Sequence, residues 1–169
     1  MKKIIRPPEY LESDPSPLIF LAGPIQGALD WQSEAIETIQ NLSAQMYIAS
    51  PRRLGTYEGD FSDEMYHEQT DWEKHHLRLA GENGTVMFWL AKEHKHLCNR
   101  SYAQTTRWEL SEWKLKHQMY GSNLVIGIES GFSGAKYIRK RVGEECIKVK
   151  ILDNLEETCK EAVRLALNY

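Results

Sequence analysis

Cysteine is scarce in this sequence. Its 169 residues include three cysteines, Cys98, Cys146 and Cys159, and no two of them form a CxxC pair. An odd number of widely spaced cysteines does not fit a disulfide scaffold and is typical of a protein from a reducing compartment. We therefore expect a cytoplasmic protein that folds without disulfides.

Long apolar runs and a strong excess of one charge are also missing. No stretch reaches the roughly 18 apolar residues of a membrane span, and the first residues lack the apolar core of a signal peptide. Lysine and arginine number 21 against 24 aspartates and glutamates, which gives a net charge of −3 and no basic stripe. We expect neither a membrane nor a nucleic acid as a partner.

Familiar catalytic and metal-binding motifs are missing as well. The glycines form neither a GxGxxG motif nor a P-loop, and the sequence has no GxSxG motif. The histidines at 75–76 and at 94 and 96 do not have the spacing of HExxH or of a structural zinc site. We therefore expect no metal site and no cofactor.

What the sequence does contain is a regular alternation of short apolar runs and helical patterns. The apolar runs, which predict buried strands, are residues 17–22, 46–49, 85–90, 123–128 and 147–152. Helical spacing of apolar residues predicts helices between and after them, over 31–42, 62–79 and 102–117, as a short helix within 129–145, and over 155–166. Residues 1–16 are expected to be an irregular lead-in.

This alternation predicts the fold. Strands that alternate with helices indicate parallel crossover units, and strands that are apolar throughout indicate a sheet covered on both faces. We predict one α/β domain over residues 1–169, a three-layer, doubly wound sheet of about five mostly parallel strands, flavodoxin- or Rossmann-like. Such sheets bind ligands beyond the carboxyl ends of their strands, which selects the loops after Ala22, Ala49, Leu90 and Ile128.

Two loops at this edge carry candidate binding residues. The strand-to-helix turn formed by Gly23, Pro24, Ile25 and Gln26 could face an anion or a sugar hydroxyl with its backbone amides, or could be a plain turn. Arg52 and Arg53 follow the second strand, where they could hold a phosphate or form structural ion pairs.

Three carboxylates are candidates for catalysis. Asp71 and Glu73 flank a tryptophan on the helix before the third strand, and Glu109 lies in the second turn of the helix after that strand. The more ordinary explanation for each is a solvated helix face, on which Glu109 pairs with Arg107 or Lys114.

Taken together and in this order, these pieces resemble the nucleoside 2-deoxyribosyltransferase-like superfamily over residues 17 to 166. The matching segments are residues 19–24, 50–53, 72–73 with 77, 88–89 and 106–110. The resemblance implies cleavage of an N-glycosidic bond by a glutamate that is followed by leucine, which Glu109 and Leu110 match. It also implies a homo-oligomer in which a neighbour helps to close the pocket.

The resemblance assigns roles to the other candidates. It implies that Glu73, with Asp71 in reserve, protonates the departing base, and that Gly23 and Pro24 border the sugar. Two carboxyl groups in this chemistry lie within about 10 Å of each other, so we expect Glu73 near Glu109 with a raised pKa. The residues expected to contact a nucleoside or nucleotide substrate are Gly23, Pro24, Ile25, Gln26, Arg52, Arg53, Trp89, Arg107 and Trp108, with Trp89 or Trp108 stacking on the base.

Three alternatives stay open. A glycosyl-enzyme captured by a second base gives a 2-deoxyribosyltransferase, and one captured by water gives a nucleoside or nucleotide N-glycosidase. The third alternative is a catalytically silent nucleotide-binding module of the same fold, in which Arg107 permanently neutralises Glu109.

Overall fold

The computed structural model describes residues 3–11, 15–55 and 62–168, in which it contains one six-stranded sheet and five helices. The strands are β1 (Ile4–Ile5), β2 (Leu18–Ala22), β3 (Tyr47–Ala49), β4 (Gly84–Leu90), β5 (Leu124–Ile128) and β6 (Ile151–Leu152). The helices are α1 (Trp31–Leu42), α2 (Asp63–Asn83), α3 (Gln104–Tyr120), α4 (Ala135–Glu145) and α5 (Leu155–Leu167).

The sheet is parallel and doubly wound, as predicted. Its order is β1-β3-β2-β4-β5-β6, and every neighbouring pair of strands runs in parallel. From β2 the chain moves outward to β3, then crosses back over β2 to β4 and continues to β6. The winding therefore reverses between β2 and β4, which is where sheets of this kind bind ligands.

Alternate residues of the central strands supply two cores, one on each face of the sheet. The first core holds Leu18, Phe20, Ala22, Val86, Phe88 and Leu90 under α2 and α3. The second core holds Ile19, Leu21, Met87 and Trp89 under α1 and α5. Because both sets are apolar, the strands have no polar face, and the three-layer arrangement buries them completely.

The helices around the candidate site begin in different ways. Asp30 caps α1 by accepting a hydrogen bond from the Ser33 amide at 3.1 Å, and Ser62 caps α2 by accepting one from the Met65 amide at 3.3 Å. Helix α3 is preceded instead by Ala103, which has a left-handed backbone with φ 56° and whose side chain makes no cap. A left-handed alanine is rare in folded proteins, so the turn into α3 is held by its surroundings.

Two expectations about strands need correction. Residues 1–16 were predicted to be irregular, but Ile4 and Ile5 pair in parallel with Ile48 and Ala49 at the sheet edge. A two-residue strand has no periodicity from which it can be predicted. The predicted strand 147–152 is reduced to Ile151–Leu152, because the chain is still turning out of α4, where the Val149 amide donates to the Cys146 carbonyl at 2.8 Å.

Residues 1–2 and 12–14 of the predicted lead-in, and residues 56–61 between the second predicted strand and the predicted helix 62–79, lie outside the described residues. In the described part of the chain, no helix combines the length and the apolar character that crossing a membrane requires.

Candidate active site

A cleft of about 990 Å³ opens at the carboxyl edge of the sheet on the face covered by α2 and α3. The loops after β2 and β3 form one side of it, and side chains of α2 and α3 form the others. The predicted site residues that line it are Gly23, Pro24, Ile25, Gln26, Arg52, Arg53, Asp71, Glu73, Trp108 and Glu109. The structure therefore brings ten of the twelve together and leaves Trp89 and Arg107 outside.

The turn after β2 forms a fixed wall of the cleft. A Cβ atom on Gly23 would lie 2.3 Å from the carbonyl oxygen of Trp89 and 2.7 Å from the ring of Trp31, so only glycine fits. The Trp31 indole then donates a hydrogen bond to the Pro24 carbonyl at 2.9 Å. These contacts place the turn directly against the carboxyl end of β4, next to the point where the winding reverses.

Glu73 of α2 and Glu109 of α3 line the same cleft, and both side chains are partly exposed to it. Burial is the main cause that raises the pKa of each, and the pKa of Glu109 rises to about 8. The negative charge of Glu73 is the second cause for Glu109. The two carboxyl groups therefore interact and disfavour double ionisation, so that they titrate as a pair.

Glu73 is held by a network that the sequence analysis missed. The Gln69 amide donates to Glu73 Oε1 at 2.8 Å and to the Pro51 carbonyl at 2.9 Å, and its oxygen accepts from Arg53 Nε at 3.0 Å. Gln69 is buried. The only signal in the sequence is the i, i+4 spacing of Gln69 and Glu73, which places both on one face of a helix.

The side chain of Glu109, by contrast, has neither a hydrogen bond nor an ion pair with any other described residue. Lys114, one of its two expected partners, pairs with Glu145. Arg107, the other, donates to the carbonyl and hydroxyl of Ser133 at 2.9 and 2.8 Å. Glu109 is therefore free to meet a ligand in the cleft.

Arg107 and Trp89, two of the residues expected to contact a substrate, do not line the cleft. The guanidinium of Arg107 stacks over Phe132 at 4.6 Å, beyond the cleft. The Trp89 ring belongs to the second core, on the opposite face of the sheet, where it packs against Gly127. Of the two tryptophans expected to stack on a base, Trp108 is the one that lines the cleft, and its side chain is 78% exposed.

The two carboxylates of α2 differ in their surroundings. Asp71 is exposed at the cleft, and its negative charge contributes to the raised pKa of Tyr10. Among the described residues, no side chain donates a hydrogen bond to Asp71 as Gln69 does to Glu73. Glu73 is the better placed partner of Glu109.

The two predicted arginines are occupied by protein contacts. Arg52 Nε contacts Gln32 Oε1 at 2.8 Å and the Asp30 carboxylate at 3.1 Å, and its Nη2 donates to the Leu29 carbonyl at 3.3 Å. It therefore holds the loop between β2 and α1. Arg53 donates to Gln69 and pairs with Glu68, which leaves fewer of its donors for a ligand.

Arg100 is a cleft residue that the sequence analysis did not single out. It lines the cleft and donates to the Gln26 side chain. Of the four arginines that line the cleft, it is the one without a carboxylate partner among the described residues. It lies in the charged loop before α3, and no pattern in that loop distinguishes it from its neighbours.

The comparison with protein families agrees with this geometry. A family model described as nucleoside 2-deoxyribosyltransferase-like matches residues 16–130, which run from just before β2 to just past β5 and include every cleft residue named above. No curated protein matches the chain. Within the described ranges, no group of three or more histidine, cysteine, aspartate or glutamate side chains is arranged to hold a metal ion.

The interaction between the two glutamates can be tested without a substrate. Replacing Glu73 by glutamine removes a negative charge from the cleft, so the pKa of Glu109 should fall below 8, while burial keeps it above that of an ordinary glutamate. Carboxyl carbon NMR of protein labelled with ¹³C-glutamate, followed across pH, measures it. The matched control is Glu112→Gln, which should lower this pKa less because Glu112 is the smaller of the two charge contributions. An unchanged pKa in Glu73→Gln would show that the two groups do not interact.

Proposed function

The chain belongs to the nucleoside 2-deoxyribosyltransferase-like family, and we propose that it cleaves or transfers the N-glycosidic bond of a nucleoside or nucleoside monophosphate through Glu109. The observation that carries this proposal is the pair of interacting carboxyl groups, Glu73 and Glu109, in one cleft at the switch point of the sheet. Strongly perturbed pKa values in such a cleft are typical of catalytic groups.

The proposed first step uses both carboxyl groups. An oxygen of the Glu109 carboxylate donates an electron pair to C1′ of the sugar while the bond between C1′ and the base nitrogen breaks. The electron pair of that bond leaves with the base, which takes the proton of Glu73. This gives a glycosyl ester on Glu109, a free base and an ionised Glu73, so one difficult displacement is divided into two easier ones.

The second step decides between transfer and hydrolysis. An incoming base or a water molecule attacks C1′, loses a proton to Glu73, and returns the electron pair of the ester bond to Glu109. The pair then again holds one proton. Activity should therefore depend on pH as a bell, since double protonation removes the nucleophile and double ionisation removes the acid.

Product analysis tests the proposal and separates the alternatives. The protein is incubated with a panel of nucleosides and nucleoside monophosphates, with and without a second free base. An exchanged nucleoside identifies a transferase, free base plus sugar identifies an N-glycosidase, and binding without turnover identifies the silent module. The silent module was suggested by the possibility that Arg107 neutralises Glu109. That reason does not hold here, because Arg107 contacts Ser133 and Phe132 rather than Glu109.

Glu109→Gln should abolish turnover and leave binding intact. Glutamine keeps the size of the side chain but cannot form the glycosyl ester, so kcat should fall by about three orders of magnitude or more, the scale on which loss of a nucleophile acts. Steady-state kinetics and calorimetric binding measure the two effects. A wild-type protein treated with a 2-fluoro substrate should carry the sugar on the peptide that contains Glu109. Near wild-type turnover by Glu109→Gln would disprove the mechanism.

Arg100 is the arginine best placed to bind a 5′-phosphate, if the substrate carries one. A charge-assisted hydrogen bond contributes about 1.5–3 kcal/mol, so Arg100→Ala should raise KM for a monophosphate by roughly 10–100-fold and leave KM for the nucleoside nearly unchanged. Arg52→Ala should affect both substrates alike, because Arg52 holds the loop after β2. Equal effects of Arg100→Ala on both substrates would refute the phosphate contact.

The exposed face of α3 supports assembly into a homo-oligomer. Trp108, Leu115 and Met119 are more than half exposed and lie on one side of the helix, and Trp108 also lines the cleft. A second copy that covered this face would also border the cleft. Light scattering at micromolar concentration should show an oligomer that Leu115→Glu dissociates. Ile147→Glu, at another exposed apolar position, is the control. A monomeric wild type would contradict the proposal.

A further inference from the structure

We propose that Gln69 is a positioning residue that fixes which oxygen of Glu73 delivers the proton to the departing base. This inference rests on the proposed function, because it concerns the acid of that reaction. Gln69 is 6% exposed and lies one helical turn before Glu73 on α2. Its side chain makes three hydrogen bonds, to three different residues.

The chemistry of those partners determines the orientation of the Gln69 amide. Arg53 Nε can only donate, so the atom opposite it at 3.0 Å is the amide oxygen. The Pro51 carbonyl can only accept, so the atom opposite it at 2.9 Å is the amide nitrogen. The second N–H of that nitrogen is then directed at Glu73 Oε1, 2.8 Å away. A flipped amide would lose the bonds to both Arg53 and Pro51.

This orientation makes Glu73 Oε1 a permanent acceptor. In a carboxylic acid the carbonyl oxygen accepts a hydrogen bond better than the hydroxyl oxygen does, so the proton of a protonated Glu73 resides on Oε2. Oε2 has no hydrogen bond with any described residue. It is therefore the oxygen that can pass a proton to a ligand in the cleft and take one back.

Charged groups approach Glu73 from two other elements. Arg53, in the loop after β3, lowers the pKa of Glu73, and Glu109 on α3 interacts with it unfavourably. The loop after β2, residues 22–26, carries no ionisable side chain. Gln69 stands between Arg53 and Glu73, and it transmits a hydrogen bond to the carboxyl group where direct contact with the guanidinium would form an ion pair.

The test compares substrates that differ in how much they need an acid. Gln69→Met keeps the length of the side chain but removes its hydrogen bonds. For an ordinary purine nucleoside, kcat should fall about 10–100-fold, a part of the 10²–10⁴-fold that general acid catalysis contributes. For an N7-methylated purine nucleoside, whose base leaves as a neutral molecule without protonation, kcat should fall less than about threefold by the same reasoning. An equal fall for both substrates, or none for either, would overturn the assignment.

Controls separate this proposal from the proposed function. Gln118→Met makes the same replacement on α3, where Gln118 donates to the Glu145 carbonyl at 3.1 Å outside the cleft, and should change neither rate. The Glu73 pKa, measured by carboxyl NMR in the unliganded protein, should rise in Gln69→Met because a hydrogen bond to the ionised form is lost. An unchanged Glu73 pKa overturns the role of Gln69 even if the wild type is active. A wild type that turns over no nucleoside overturns the proposed function and, with it, the role of Gln69 in catalysis; the NMR result then shows only whether Gln69 contacts Glu73.

Discussion

Two partly buried carboxyl groups that share one cleft are the constraint on which the rest of this structure depends. Glu73 and Glu109 come from different helices on either side of β4 in the chain, and they line one cleft because α2 and α3 cover the same face of the sheet. Burial raises the pKa of both, and the negative charge of Glu73 raises that of Glu109 further. Such a pair holds a proton near neutral pH, which an exposed glutamate does not.

The same pair lowers the stability of the folded protein as pH rises. The pKa of Glu109 increases from an ordinary 4.5 to about 8 on folding. The unfolded chain releases this proton at lower pH than the folded protein, so the stability present below pH 4.5 declines progressively as pH approaches 8. The rigid turn at Gly23 and the three bonds of Gln69 hold the cleft together against this cost. The arrangement is the usual compromise between stability and a reactive site.

Most of the fold could be predicted from sequence, because strands that are apolar throughout and alternate with amphipathic helices have few other solutions. The face of the sheet to which a given side chain points was harder to predict. In β4, Phe88 and Trp89 are both apolar and buried, so nothing in the pattern says that Phe88 faces α2 and α3 while Trp89 faces the opposite core. The place of Arg107 was predictable, since residues i and i+2 of a helix do not face each other and Arg107 cannot readily reach Glu109. The places of Gln69 and Arg100 in the cleft could be found only from the tertiary structure.

Arg53 is linked to Glu73 through the side chain of Gln69 and not by a direct ion pair. A guanidinium in direct contact with a carboxylate lowers its pKa strongly, and an acid so paired could not hold its proton near neutral pH. Here Arg53 pairs with Glu68 and donates to the oxygen of Gln69, whose nitrogen donates to Glu73. The Gln69 amide orients Glu73 by a hydrogen bond without forming an ion pair with it. Burial remains the largest influence on the pKa of Glu73. The carboxyl group is thereby held in one orientation without an ion pair, and burial raises its pKa. The proposed reaction requires an acid that is both oriented and free of a cationic partner.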